Sequence, residues 1–329
     1  MTKNIIFTNG LIDLAQPRLG SKVIFKTDDF FASAHRIIDP RPPVFKDGLF
    51  DKNGKWMDGW ESRRKRISGH DYLIIKLGKS GSVSKADIDT SHFNGNQPSM
   101  VSLEGCYSEL NNIKSFKWKT LIDKKNIKAN SHHIFSSSSK SIFTHIKLNI
   151  FPDGGVARLR LYGNISKENN NFRNKKINLA SLLNGASVIA CNNEHFGKAE
   201  NILAPGKAKN MGDGWETRRR RDKGFDWLIL NSIKGENIHK IEISTHHFKG
   251  NYPSHCSLQA AYITNKKTSS AIVKSSNEWK FLLNKVKLSP NKTHKFMNKL
   301  MKNNKINFIK INIFPDGGIS RFKIFGKSI

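Results

Sequence analysis

The chain has 329 residues, about twice the usual ~150-residue domain, so two domains with separate cores are expected. Lys and Arg number 56 against 26 Asp and Glu, a net charge of +30, and the three cysteines form no C-x-x-C pair. Nothing approaches the ~20 apolar residues of a membrane helix, and the apolar stretch in "MTKNIIFTNGLIDLAQ" is too short for a secretory signal. A reducing, cytoplasmic setting with no membrane partner and no structural zinc is therefore expected.

The positive charge is spread along the chain as Lys beside Asn and Ile, in stretches such as "NNNFRNKK" and "MKNNKINFIKIN", and is not gathered into an arm or tail. A bias in base composition explains that distribution, so no specific nucleic-acid partner is expected.

In chain order the elements read as short strands. "YLIIKLG" from Tyr72, "IKLNIF" from Ile146, "ARLRLYG" from Ala157 and "WLILNSI" from Trp227 are apolar runs bounded by Gly, Asp and Asn. Arg158 and Arg160 share one strand face, opposite Leu159 and Leu161. "FPDGG" from Phe151 and again from Phe314 marks tight turns. The best helical candidates are "WKFLLNKV" from Trp279 and "HKFMNKLMK" from His294.

The elements occur twice. "LAQPRLGSKVIF" from Leu14 answers "LASLLNGASVIA" from Leu179, an offset of 179 − 14 = 165. "DGWESRRKR" from Asp58 answers "DGWETRRRR" from Asp213, and "IDTSHFNGNQPSMVSL" from Ile88 answers "ISTHHFKGNYPSHCSL" from Ile243, both offset by 155. "IKLNIFPDGGVARLRLYG" from Ile146 answers "IKINIFPDGGISRFKIFG" from Ile309, offset 163. The first half thus carries a ten-residue insertion within "RPPVFKDGLFDKNGKW" (165 − 155), and the second carries eight extra residues before "NFIKINIF" (163 − 155). Two copies are too few for a solenoid, so each closes as its own domain, 1–166 and 167–329. The expected class is all-β, two tandem antiparallel jelly-roll β-sandwiches.

The combination of "DGWESRRKRISGHDYLIIKLG", "IDTSHFNGNQPSMVSLEGC" and "FPDGGVARLRLYG", with its weaker second set, resembles the allantoicase family over nearly the whole chain. The resemblance implies tandem repeats of a galactose-binding-like jelly roll and hydrolysis of allantoate to ureidoglycolate and urea in purine catabolism. Allantoate is then the small-molecule partner, no cofactor is implied, and the sequence leaves oligomeric state open, a homo-oligomer included.

That chemistry assigns tasks to the repeated residues. A carboxylate suits the planar fork of Arg, and alternation along a strand turns either Arg63 with Lys65, or Arg64 with Arg66, toward the ligand. Arg218 and Arg219 are the twins of Arg63 and Arg64. Glu61 and Glu216 precede each run and are expected to pair with an adjacent Arg, with an acid or base role as the alternative. His92 and His247 are the candidates for proton transfer. Asp58, at the turn before Trp60, and Asn96, in the "FNGNQP" turn, are further candidates for substrate contact, each with a turn-forming alternative. No spacing of His92, Asp89 or the neighbouring His pairs matches an established metal pattern. The competing class is a non-catalytic small-anion or sugar-binding sandwich module.

Overall fold

In the computed structural model, which describes residues 5–110, 112–166, 172–265, 267–301 and 305–329, the chain forms two compact β units. One comprises residues 12–167. The other comprises 168–329 together with 1–11, because Ile6–Phe7 adds an edge strand to Ser187–Cys191. The repeat boundaries in the sequence place those first eleven residues with the first repeat instead.

The first unit is organised by one long strand, Asp71–Asp89, which pairs along its length with four other strands of an eight-stranded sheet. Its first part lies between Lys22–Lys26 and Phe143–Phe151, and Phe143–Phe151 continues to Met100–Cys106 and Lys119–Asn126. Its second part lies between Arg158–Ile165 and His132–Ser136, with Ile12–Asp13 beyond. Every pairing is antiparallel. Between its two parts, at Gly78 and Gly81, a Cβ would lie 2.1 Å from the Leu19 carbonyl oxygen and 2.4 Å from that of Asn164. Only a residue without a side chain allows that approach of neighbouring backbone. Leu73, Ile75, Leu103, Ile146 and Leu148 from one layer and Val83, Ile88, Leu159 and Leu161 from the other are buried and make the core.

The second unit repeats the plan around Asp226–Ser244. Lys305–Phe314 and Ser187–Cys191 flank its first part, and Arg321–Ser328 and Thr293–Phe296 its second. His255–Ala261 and Lys280–Lys287 complete the larger sheet. Each unit is a jelly-roll sandwich.

Both helical expectations fail. "WKFLLNKV" supplies the strand Lys280–Lys287, and the described part of "HKFMNKLMK" begins in the strand Thr293–Phe296 and continues without helix. Leu and Lys favour helix only weakly, and docking of Leu282 and Leu283 against the sheet outweighs that preference. The α-helix among the described residues is Ser269–Ser275, capped by Thr268, whose Oγ1 accepts from Ala271 N at 3.2 Å.

One core position differs sharply between the copies. His145 stands where the second repeat has Phe308 (308 − 145 = 163), and it is only 1 % exposed. Its ring lies 4.5 Å from that of Phe116, Nδ1 meets Thr144 Oγ1 at 2.9 Å, and Nε2 has no hydrogen-bond partner among the described residues. Burial, helped by nearby Lys76, holds its pKa down to about 4. The unfolded chain therefore takes up this proton first as the pH falls, and stability is lost from about pH 6.5 down to 4. His145→Phe is expected to remove that part of the acid sensitivity, on the order of 2 kcal/mol at pH 4. Denaturation midpoints of both proteins across that range test it, and parallel curves would rule it out.

Candidate active site

The three repeated motifs meet at one end of each sandwich. Trp60–Glu61 pairs with Gly155–Val156, so the "DGWE" and "FPDGG" segments form one small ribbon. Phe93, from the Thr-x-His-Phe step, is fully buried beneath it. A Cβ on Gly155 would lie 2.0 Å from the Phe93 ring, which explains the second glycine of "FPDGG". Gly155 N donates to Asn96 O at 2.7 Å, locking the "FNGNQP" loop onto the same ribbon. The second unit repeats each contact with Trp215–Glu216, Gly318–Ile319, Phe248 and Asn251.

Glu61 and Asn96 are brought together. Asn96 Nδ2 donates to Glu61 Oε1 at 2.8 Å, and burial raises the Glu61 pKa while this hydrogen bond opposes the rise. The expected pairing of Glu61 with an Arg does not occur. The ribbon pairing turns Glu61 toward the Asn96 loop, and Asp28 takes Arg63 instead. Glu216 and Asn251 make the corresponding contact.

The cation run divides by parity, although it follows the ribbon as irregular chain and not as a strand. Arg63 is held by Asp28, with Nε and Nη2 on Oδ2 at 2.7 and 2.6 Å, and its guanidinium lies 5.1 Å from the Phe30 ring centre. Lys65 turns inward, Nζ on buried Asp71 Oδ1 at 2.7 Å, and its N–H donates to Asp153 of "FPDGG" at 2.7 Å. Arg64 and Arg66 are exposed and have no ion pair or hydrogen bond with any described residue. In the second copy Arg220 reaches Asp226 and caps onto Asp316, while Arg219 and Arg221 are exposed. In the place of Asp28 stands neutral Asn193, which accepts only the backbone N–H of Arg218 at 3.1 Å, and the Arg218 guanidinium lies with Nη2 3.2 Å from His195 Nδ1.

Asp58 is committed to the protein itself. Its Oδ2 accepts from Arg158 Nη2 at 2.7 Å and from Val44 N at 3.0 Å. Strand alternation puts Arg158 on the face away from the apolar one, yet it is 2 % exposed. Its Nε donates to Arg41 O at 2.9 Å and its Nη1 to the carbonyls of Asp58 and Ala157, each at 2.8 Å. Asp213 and Arg321 repeat the pair at 2.7 Å. The same "GG-x-x-R" spacing in both copies is the sequence signal that could have exposed this partnership. Trp60 and Trp215 are core residues, each indole donating to a backbone carbonyl at 2.7 Å.

His92 and His247 share an unusual backbone, with φ of 71° and 72°. Left-handed geometry in a non-glycine residue marks a constrained loop. Asn130 and Asn291 support it, each accepting the His N–H at 2.9 Å. Thr90 and Thr245 anchor the supporting loops by donating to carbonyls of Lys128 and Ser289, both at 2.7 Å. The rings then diverge. His247 Nε2 is bonded to Ala208 O at 2.9 Å, whereas neither ring nitrogen of His92 has a hydrogen-bond partner among the described residues. Asp89 accepts the Ser91 N–H and faces His132, 3.7 Å away, rather than His92. Among the described residues no three His, Cys, Asp or Glu side chains are grouped to hold a metal ion.

Taken together, fold and site define a duplicated jelly-roll protein in which each copy gathers an acid, an amide, a cation run and a loop histidine at one rim. A family profile for the allantoicase repeat matches residues 12–166 and 177–329. A probable allantoicase of Acinetobacter baumannii is 46 % identical over 319 residues, 97 % of this chain and 94 % of that protein. One of Photobacterium profundum is 44 % identical over 317 residues, 96 % of each. A solved allantoicase structure superimposes with a TM-score of 0.82 at 32 % identity, covering 97 % of this chain and 94 % of its own. The Saccharomyces cerevisiae allantoicase gives 0.81 at 31 %, covering 98 % and 100 %. The chain belongs to the allantoicase family.

Proposed function

We propose that this chain is a hydrolase that cleaves allantoate to ureidoglycolate and urea, with the working chemistry in the first repeat. The observation that carries the activity is the family match along the full length of both repeats. The reading of the first repeat rests on the unbonded His92 ring beside a motif cluster whose acid, Glu61, has a raised pKa.

In this reading Arg64, which like Arg66 has no partner among the described residues, holds the allantoate carboxylate through two charge-assisted hydrogen bonds. Glu61 and Asn96 offer an acceptor and a donor that match a planar ureido group. His92 delivers a proton to the departing ureido nitrogen as its bond to the central carbon breaks, releasing urea. The imine-like centre that remains adds water, whose oxygen becomes the hydroxyl of ureidoglycolate and whose surplus proton returns to His92, regenerating the proton donor. Arg63→Ala loses a side chain that Asp28 already neutralises, so its effect is expected to be small. Arg64→Ala is expected to lower kcat/KM roughly thirtyfold, about 2 kcal/mol. A larger loss at Arg63 would place the carboxylate on that side of the run.

No helix among the described residues is long and apolar enough to cross a membrane. Cys106, Cys191 and Cys256 are buried free thiols, which fits a reducing cytoplasm. The decisive experiment is urea release from allantoate by purified protein. Binding without release would favour the anion- or sugar-binding module instead.

A further inference from the structure

The ten-residue insertion of the first repeat gives His92 a contact that His247 lacks. Seventeen residues separate Pro40 from Asp58 (57 − 40), whereas seven separate Pro205 from Asp213 (212 − 205). Within the longer connection the ring of Phe45 stacks on that of His92, centroids 5.8 Å apart and planes 28° apart. The shorter connection has no such aromatic residue and instead presents the Ala208 carbonyl, which takes His247 Nε2.

Phe45 is itself held from both sides in sequence. Val44 N donates to Asp58 Oδ2, the carboxylate paired with buried Arg158, so a buried ion pair sets the backbone beside Phe45. Phe50–Asp51 and Gly54–Lys55 then form a small hairpin that brings Lys55 Nζ to 4.7 Å from the Phe45 ring centre. A histidine projecting from a left-handed loop with both nitrogens unbonded has several side-chain rotamers open to it, and a stacked ring selects among them without occupying either nitrogen.

We propose that Phe45 is a positioning residue for His92: by stacking on the imidazole face it fixes the ring while leaving both nitrogens available for proton transfer. This inference rests on the proposed role of His92. It explains why the insertion stands in the repeat whose histidine is unbonded, and it gives the Asp58–Arg158 pair a purpose beyond local stability. The second repeat, with its short connection, restrains the equivalent ring through a nitrogen and so occupies one of its two proton-transfer positions.

The test is steady-state turnover of allantoate by Phe45→Ala, Phe45→Leu, Phe45→Tyr, His92→Ala and the Phe45→Ala/His92→Ala double variant. Loss of the stack is expected to lower kcat about 2- to 13-fold with KM nearly unchanged. Phe45→Leu, which keeps apolar bulk without the ring, is expected to lose as much as Phe45→Ala, and Phe45→Tyr to restore activity. The leucine variant also serves as the readout if the alanine variant folds poorly. In the His92→Ala background Phe45→Ala should cause no further fall, since the ring it positions is gone. If His92→Ala keeps wild-type kcat, the assignment of His92 fails and this inference falls with it. If His92→Ala is impaired while the Phe45 changes leave kcat unaltered, or multiply with it, the assignment of His92 stands and Phe45 merely packs the loop.

Discussion

Replacing Arg158 with alanine is expected to lower the unfolding free energy of the first unit by about 3 to 5 kcal/mol, the range for removing one partner of a buried ion pair. The guanidinium is saturated by Asp58 and by the carbonyls of Arg41, Pro42, Asp58 and Ala157. Its loss leaves the Asp58 carboxylate, whose side chain is 14 % exposed, with only the Val44 N–H, and four carbonyls lose a donor. Such orphaned groups bear the desolvation cost that the pair had offset. Asp58→Ala should be comparably damaging, because it leaves the buried cation uncompensated. Replacing both by apolar residues of similar volume should cost much less than the sum of the two. Urea denaturation followed by Trp fluorescence measures all three. A loss under about 1 kcal/mol for Arg158→Ala would mean that loop 41–58 relaxes enough to hydrate the remaining groups.

His92→Ala is expected to lower kcat by roughly 10²-fold or more, the range for losing a proton-transfer group, and His247→Ala by far less. Both residues occupy the same left-handed backbone and the same asparagine-supported loop, so the difference arises in the ring. His247 Nε2 is engaged with the Ala208 carbonyl, which leaves Nδ1 alone to exchange a proton with substrate unless that bond breaks. His92 has no such bond to break. Saturating allantoate assays of both variants decide the matter. Equal losses would point to two equivalent sites, and a larger loss at His247 would reverse the assignment.

Glu61 illustrates where reading the chain stops short. Adjacent charges invite a local pair, yet the carboxyl faces Asn96, 35 residues away, because Glu61 is paired in the ribbon with Gly155. The alternation of the cation run was legible, and the structure separates its two sets, but Asp28 and Asp71 are what satisfy Arg63 and Lys65. Nothing in the run itself names those partners. Arg158 shows the same limit: strand parity correctly sets it opposite Leu159, but only the loop folding over that face buries it. The two misread helices failed through packing, since Leu282 and Leu283 gain more from the sheet than helix propensity offers.

The duplication, the all-β class and the family were readable from the chain because they depend on order along it: two-residue alternation, turn residues at fixed places, and motifs recurring at offsets of 155 to 165. Which arginine is left without a partner, which histidine ring is left unbonded, and which aspartate is given over to structure depended on contacts between segments far apart in sequence. Asp28 reaches Arg63 across 35 residues, Asn130 reaches His92 across 38, and Asp58 reaches Arg158 across 100. Both copies carry nearly the same motif residues, so only the packing of the connection before Asp58 and Asp213 distinguishes a stacked, unbonded imidazole from one tied to a backbone carbonyl.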